Sequence, residues 1–187
     1  MHLHTARLTL DELQADDAAA LYGYRSDPAI SRYQGWRPGS LENARDFIEA
    51  SQRVAFDTPD TWCQRAIRLR GTGELIGDLG LHFLTDATVE LGISLARPHQ
   101  GRGLAGEALA AALGYLFEHL HKHRVFASVD PRNHACLQLL ERTGLRREAH
   151  FRESLWLDGE WVDDVVFAML AREWPPSTRG RPIAVKL

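Results

Sequence analysis

Cysteine is scarce in this chain: only Cys63 and Cys136 occur, far apart and without a Cys-x-x-Cys spacing. That excludes a disulfide framework and a zinc ribbon, and it makes a reducing cytoplasm the expected setting. Long apolar runs are missing too, so no stretch reaches the roughly 18 residues of a membrane span. The start, Met1-His2-Leu3-His4-Thr5-Ala6-Arg7, has no apolar export core. A soluble protein with no membrane partner is expected. Positive charge is not in excess, since 22 Lys and Arg face 25 Asp and Glu for a formal net charge of −3. A basic stripe for nucleic acid is therefore absent, and nucleic acid is not an expected partner. Of the nine histidines, His119, His121 and His123 alternate at the end of a helical pattern, so at most His119 and His123 share a face, and no metal is expected.

What is present is an ordinary globular composition, 44% hydrophobic and 25% charged over 187 residues. It fits a single domain over 1–187 with a loosely patterned tail at 175–187. Arg7 to Leu10 alternates as a strand, and Asp16-Asp17 opens a helix that ends at Ser26-Asp27-Pro28. Tyr33 to Gly39 is a loop with two aromatics, Tyr33 and Trp36, which line a site or lid the core. Ser40 caps a second helix, Leu41 to about Phe56. Trp62 to Leu69, Glu74 to Phe83 and Val89 to Leu95 then form an antiparallel meander, its first turn marked by Arg70-Gly71-Thr72-Gly73. An apolar helical stripe from Leu104 to Leu120 leads to a strand, Arg124 to Asp130, placed parallel to the one before the helix. A helix from His134 to Arg142 closes at Gly144, and a hairpin, Leu145 to Leu157 and Trp161 to Leu170, follows. Trp156 and Trp161 are expected to pair across it.

The organising stretch is Gln100-Gly101-Arg102-Gly103-Leu104-Ala105-Gly106. A strand, a glycine bend and a helix start make an anion cradle, because small residues let a ligand approach the backbone and unpaired helix-start amides attract phosphate. Gly101-x-Gly103-x-x-Gly106 also fits the dinucleotide fingerprint. Against that, four residues, Arg97 to Gln100, separate strand from glycine, and Glu90 and Ser94 alternate with Leu91, Ile93 and Leu95 unlike a strand buried on both sides.

The alternative, Gln100-x-x-Gly103-x-Ala105, resembles the acyl-CoA loop of the GNAT acetyltransferases. The chain is similar to their RimJ/RimL branch over residues 5 to 174. The resemblance rests on Thr5-x-Arg7-Leu8-x-Leu10, Tyr24-Arg25-Ser26-Asp27-Pro28, Gly73-Glu74-Leu75-Ile76-Gly77-Asp78, Glu90-Leu91-Gly92, Asp130-Pro131-Arg132-Asn133, Leu140-Glu141-Arg142-Thr143-Gly144-Leu145 and Gly159-Glu160-Trp161-Val162-Asp163-Asp164. It implies an α/β (α+β) GNAT fold, a mixed, mostly antiparallel sheet of about seven strands with helices on both faces. It also implies acetyl transfer from acetyl-CoA to an amine, the acceptor being a (ribosomal) protein N-terminus, or else a small amine such as an aminoglycoside or polyamine. A non-catalytic acyl-CoA sensor is the reading from another class. Nothing in the sequence fixes the oligomeric state, and a homodimer stays open.

Carried over by position, the resemblance implies that Gln100, Gly101, Arg102, Gly103, Leu104 and Ala105 hold the coenzyme diphosphate. Backbone from Ile93 through Ser94 to Leu95 meets the pantetheine amides, and Asn133 contacts that arm or caps its helix. An ammonium acceptor must lose a proton before it attacks the thioester. Glu90 is a candidate base or else a solvated strand residue, with Glu153 a comparable alternative and Asp78 a weaker one. Cys136 stands where the family commonly has a serine near the coenzyme sulfur; it is read as an acid for the departing thiolate, in direct transfer, or as a packing residue. Asp16, Asp17, Asp163 and Asp164 attract a cationic acceptor or are solvated surface.

Overall fold

The computed structural model describes residues 1–175, so the tail expected at 175–187 lies outside the described residues from position 176 onward. The elements in chain order are β1 (Leu3–His4), β2 (Leu8–Asp11), α1 (Ala18–Arg25), α2 (Pro28–Ser31), α3 (Leu41–Arg53), β3 (Thr61–Leu69), β4 (Leu75–Phe83) and β5 (Thr88–Leu95). There follow α4 (Leu104–Gly114), β6 (Arg124–Val129), α5 (His134–Arg142), β7 (Arg146–Leu157) and β8 (Glu160–Leu170). All the strands join one eight-stranded sheet in the order β1-β2-β3-β4-β5-β6-β8-β7. Every neighbouring pair is antiparallel except β5 and β6, which are parallel around the α4 crossover.

The expected fold class holds, with differences of detail that have local causes. The eighth strand is Leu3–His4, whose two residues are too few to show alternation in sequence. Helix α3 stops at Arg53 rather than Phe56, because Val54 already has an extended backbone (φ −86°, ψ 121°). Its start is as expected, with the Ser40 hydroxyl accepting from the Asn43 amide at 3.1 Å. Past Gly114 the long crossover helix widens into a π turn, Tyr115–His119. The dinucleotide reading fails: the strand entering the glycine bend lies antiparallel to β4 over its whole length, and a three-residue helical turn, Arg97–His99, intervenes.

Strand alternation sorts the core into two layers. In β4 and β5 the odd positions Leu79, Leu81, Phe83, Val89, Leu91 and Leu95 join the α4 stripe of Leu104, Ala108, Leu109, Ala112 and Leu113. On the other face Ala66 and Leu75 meet Leu21 and Tyr24 of α1 and Ala44 and Ile48 of α3. That second layer contains a buried ionic knot. Asp78 of β4 is fully buried and accepts from Tyr24 Oη (2.8 Å), Arg25 Nε (3.1 Å) and Gln64 Nε2 (2.5 Å), while Arg25 Nη2 closes a second contact to its carboxylate. Burial, with the Asp78 charge behind it, pushes the Tyr24 phenol well above its ordinary range.

Candidate active site

Strands β5 and β6 pair only at Thr88 with Arg124, Val89 with Val125 and Glu90 with Phe126. Beyond Glu90 they part, although β5 continues to Leu95 against β4 and β6 to Val129 against β8. The result is a wedge-shaped gap inside the sheet with Glu90 at its vertex. Ala96 N donates to Ile76 O at 2.8 Å, which marks that pair as hydrogen-bonded. Alternation along the ladder then turns the backbone groups of Ser94 toward Asp78 in β4 and those of Ile93 and Leu95 into the gap. Within the expected contact run Ile93-Ser94-Leu95, therefore, Ile93 and Leu95 offer main-chain groups and Ser94 does not. The Leu95 carbonyl is taken by Gln100 Nε2 at 2.8 Å, so the side chain of Gln100 bolts the glycine bend to the strand before it.

At the wide end of the gap, Gly101 (φ 71°) and Gly103 (φ 75°) adopt the left-handed conformation that L side chains resist. Gly103 is the N-cap of α4 and carries no side chain to cap it. The amides of Leu104, Ala105 and Gly106 therefore face outward with the positive end of the helix dipole behind them. Sequence reading missed the brace under this cradle. Arg7 donates its backbone N (2.8 Å) and Nε (2.6 Å) to Glu107 in the first turn of α4 and its Nη1 to the carbonyl of Arg102 (3.0 Å). Thr5 Oγ1 adds a third bond to Glu107 (2.5 Å). Burial raises the Glu107 pKa, but the bonds from Thr5 and Arg7 outweigh it and leave the carboxyl below its ordinary value. A carboxylate in the first turn of α4 is thereby balanced by the Arg7 guanidinium. The only sequence signal was Thr5-x-Arg7 itself, about a hundred residues from its partner.

The catalytic candidates do not converge. Glu90 is half-buried at the vertex, with Oε2 3.4 Å from His82 Nδ1. Glu153 lies on the edge strand β7, three strand positions from β5, about 14 Å at ordinary spacing. It is exposed in a bulge (φ 43°) and its amide donates to Asp163 Oδ1 at 2.9 Å. Asp78 is ruled out as a base by the knot that occupies its oxygens. Asn133 caps α5, its Oδ1 accepting from the Cys136 amide at 3.2 Å, which leaves the amide NH2 for a ligand. Burial pushes the Cys136 thiol up to about 11, so it stands protonated at neutral pH and is no ready nucleophile.

Three of the four acidic residues that could attract a cationic acceptor are engaged internally. Asp17 pairs with Arg68 at 2.6 Å, Asp163 with His150 at 2.6 Å, and Asp164 accepts from Ser128 Oγ and the Val129 amide. Of these four, Asp16 alone keeps a surface role, on a groove between the start of α1 and α3. Tyr33 and Trp36 divide the two roles expected of them. Trp36 stacks on Phe47 at 4.0 Å in the smaller core, while Tyr33 Oη donates to the carbonyl of Arg132 at 3.2 Å. Arg37 of the same loop pairs with Asp158 in the β7–β8 turn. This loop thus crosses from the α1–α3 layer to the β6 side of the gap as a strap. Trp156 and Trp161 pair across the hairpin as expected, with ring centroids 5.4 Å apart. Among the described residues no group of three potential ligands could hold a metal, and no helix is long and apolar enough to cross a membrane.

The comparisons fit this geometry. The sequence model of the family described as acetyltransferase (GNAT) domain matches residues 7–146. The uncharacterized N-acetyltransferase p20 of Bacillus licheniformis is 30% identical over 175 residues, covering 92% of this chain and 97% of its own. The [ribosomal protein uS5]-alanine N-acetyltransferase of Escherichia coli is 38% identical over 86 residues, 46% of this chain and 44% of its own. The crystal structure of a GNAT-family acetyltransferase from Bacillus anthracis superposes with a TM-score of 0.83 at 25% identity, covering 92% of this chain and 99% of that one.

Proposed function

Given that the chain belongs to the GNAT acetyltransferase family, with acetyl-CoA as its acetyl donor, we propose that its acceptor is the N-terminal amine of a protein. The observation carrying this choice is the 38% identity to the uS5-alanine enzyme over 86 residues. In this reading the amides from Gly101 to Ala105 take the coenzyme diphosphate and Gln100 fixes their bend. The gap-facing groups of Ile93 take a pantetheine amide or the thioester oxygen, and the free NH2 of Asn133 binds the same arm.

Glu90 removes the ammonium proton and the neutral nitrogen attacks the thioester carbonyl. The tetrahedral oxyanion is held by main-chain N–H, the C–S bond breaks, and Cys136 donates a hydrogen bond or a proton to the departing thiolate. Glu153 is left as a surface residue. A protonated Cys136 suits direct transfer with no acetyl-enzyme.

A thiol-release assay with acetyl-CoA against an alanine-terminated peptide, spermidine and an aminoglycoside tests the acceptor. Turnover confined to the peptide is expected. Turnover confined to a small amine would replace the reading with the small-molecule alternative, and coenzyme binding without turnover on any of the three would count against it as well.

A further inference from the structure

Between β6 and α5 the chain bends through Asp130-Pro131-Arg132-Asn133. The Asn133 amide donates to the Asp130 carbonyl at 2.9 Å, which closes a β-turn, and Pro131 presets the backbone at its second position. Asp130 is only 9% exposed, and its Oδ1 accepts from the Arg132 amide at 2.8 Å. The Arg132 guanidinium folds back onto the same carboxylate, with Nε 3.0 and 3.1 Å from the two oxygens and Nη2 2.6 Å from Oδ2. Burial raises the Asp130 pKa, but the bonds from Arg132, helped by the charge of Arg32, outweigh it and leave the carboxyl below its ordinary value. The last residue of this fastened turn is Asn133, whose Oδ1 is already given to the Cys136 amide.

Two further segments are tied to the turn and to each other. Arg132 Nη1 donates to Glu160 Oε1 at 2.8 Å, in the bend between β7 and β8. The carbonyl of Arg132 accepts from Tyr33 Oη of the strap at 3.2 Å, and Arg32 lies over the Tyr33 ring at 4.8 Å. Arg37 of the strap pairs with Asp158, on the other side of Gly159 from Glu160. The α5 turn, the hairpin bend and the strap are therefore joined pairwise into a closed triangle. A lone exposed ion pair fixes little, whereas a forked contact to a buried carboxylate inside a network fixes geometry. Arg132 makes two of the three sides and is the neighbour of Asn133.

We propose that Arg132 is a positioning residue for both substrate sites. Through Asp130 it fixes where the free NH2 of Asn133 stands toward the coenzyme arm. Through Glu160 and its own carbonyl it holds the hairpin bend and the strap against the β6 side of the gap, where the acceptor must pass. The planar fork of arginine suits this task, because its separate N–H groups meet Asp130 and Glu160 at once, which a lysine ammonium does not. Arg132 touches no reacting atom. The coenzyme limb rests on the reading of Asn133 as a contact to the pantetheine arm.

Calorimetry with acetyl-CoA, and kinetics on whichever of the peptide, spermidine and aminoglycoside the parent acetylates, separate the two limbs. Arg132→Ala should weaken acetyl-CoA about tenfold, the scale of one bond to a charged group, and raise acceptor KM as well. Glu160→Ala keeps the Asp130 clamp, so its acetyl-CoA affinity should equal the parent's while acceptor KM rises about two- to fivefold, the scale of an exposed ion pair. Tyr33→Phe, which opens another side of the triangle, should follow Glu160→Ala. A residue that only stabilised the fold would lower the melting temperature without this split. Equal acetyl-CoA affinities in Arg132→Ala and Glu160→Ala would overturn the proposal, as would an acceptor KM that neither variant moves. Unchanged acetyl-CoA affinity in Asn133→Ala would instead sink the reading of Asn133. No turnover by the parent on any acceptor would sink the transfer reading, with the calorimetric comparison still deciding the coenzyme limb.

Discussion

Replacing Asp78 with asparagine removes a charge and almost no volume, so it probes the buried knot without opening a cavity. The side chain of Arg25 is only 7% exposed and that of Asp78 is not exposed at all. In Asp78→Asn the guanidinium keeps its bond to Gln34 Oε1 (3.2 Å) and its place 6.0 Å from the Trp36 ring, but loses its anionic partner. The new NH2 also faces donors, Gln64 Nε2 or Arg25 Nη2, where an oxygen had accepted. Breaking one side of a buried ion pair costs about 3–5 kcal/mol. At about 2–4 °C per kcal/mol for a chain of this length, the melting temperature should fall by roughly 6–20 °C. Urea unfolding should show a lower midpoint with an unchanged slope. Arg25→Met in the Asp78→Asn background should recover more than half of the loss, because the stranded charge is gone. A loss below about 1 kcal/mol, or no recovery in the double variant, would refute the view that the knot is a desolvated ion pair.

Gly103→Val should abolish measurable acetyl-CoA binding by calorimetry, because a β-branched residue resists φ 75° and displaces the first amides of α4; unchanged affinity would remove the bend from the site. Cys136→Ser should keep parental turnover, and the parent thiol should alkylate slowly at pH 7 and faster only as the pH nears about 11; loss of turnover in the serine variant would point to an acetyl-cysteine instead. Arg7→Ala should weaken acetyl-CoA about tenfold, as an unneutralised Glu107 would then face the diphosphate. The Glu107 pKa is lowered in the fold, so its contribution to stability is present above the unfolded carboxylate value of about 4.3 and is lost as the pH falls through the lower folded value. Thermal melts at pH 6 and at pH 3 should therefore show a smaller gap for Arg7→Ala than for the parent, and equal gaps would argue that the brace carries no charge linkage.

The elements that sequence disclosed are those written in local pattern. The α4 stripe, the Ser40 cap, the Gly144 stop and the hairpin at Asp158-Gly159 each depend on neighbours within a few residues, and each appears where expected. The glycine bend was legible because left-handed backbone demands glycine. The brace between Arg7 and Glu107 and the role of Gln34 beside Arg25 were not. These are pairings of distant segments, fixed by strand register, and register depends on all the turns at once. Asp78 shows the converse error: a strand carboxylate beside a site has the letters of a base, and only its three donors show that it is structural.

The gap between β5 and β6 also has a meaning for how the chain assembles. The strands on one side of it come from residues 3–95 and those on the other from residues 124–170, so each half-sheet is contiguous in sequence and built from antiparallel neighbours. The β1–β2, β3–β4, β4–β5 and β7–β8 pairings close loops of only a few residues, whereas the parallel junction must wait for the α4 crossover. The wedge is therefore a seam between two contiguous halves of the sheet, held by only three residue pairs. Amide exchange should be fastest there within the sheet, and acetyl-CoA should slow it on both banks at once. Equal protection of β5 and β6 with and without coenzyme would show the seam to be as tight as any other junction.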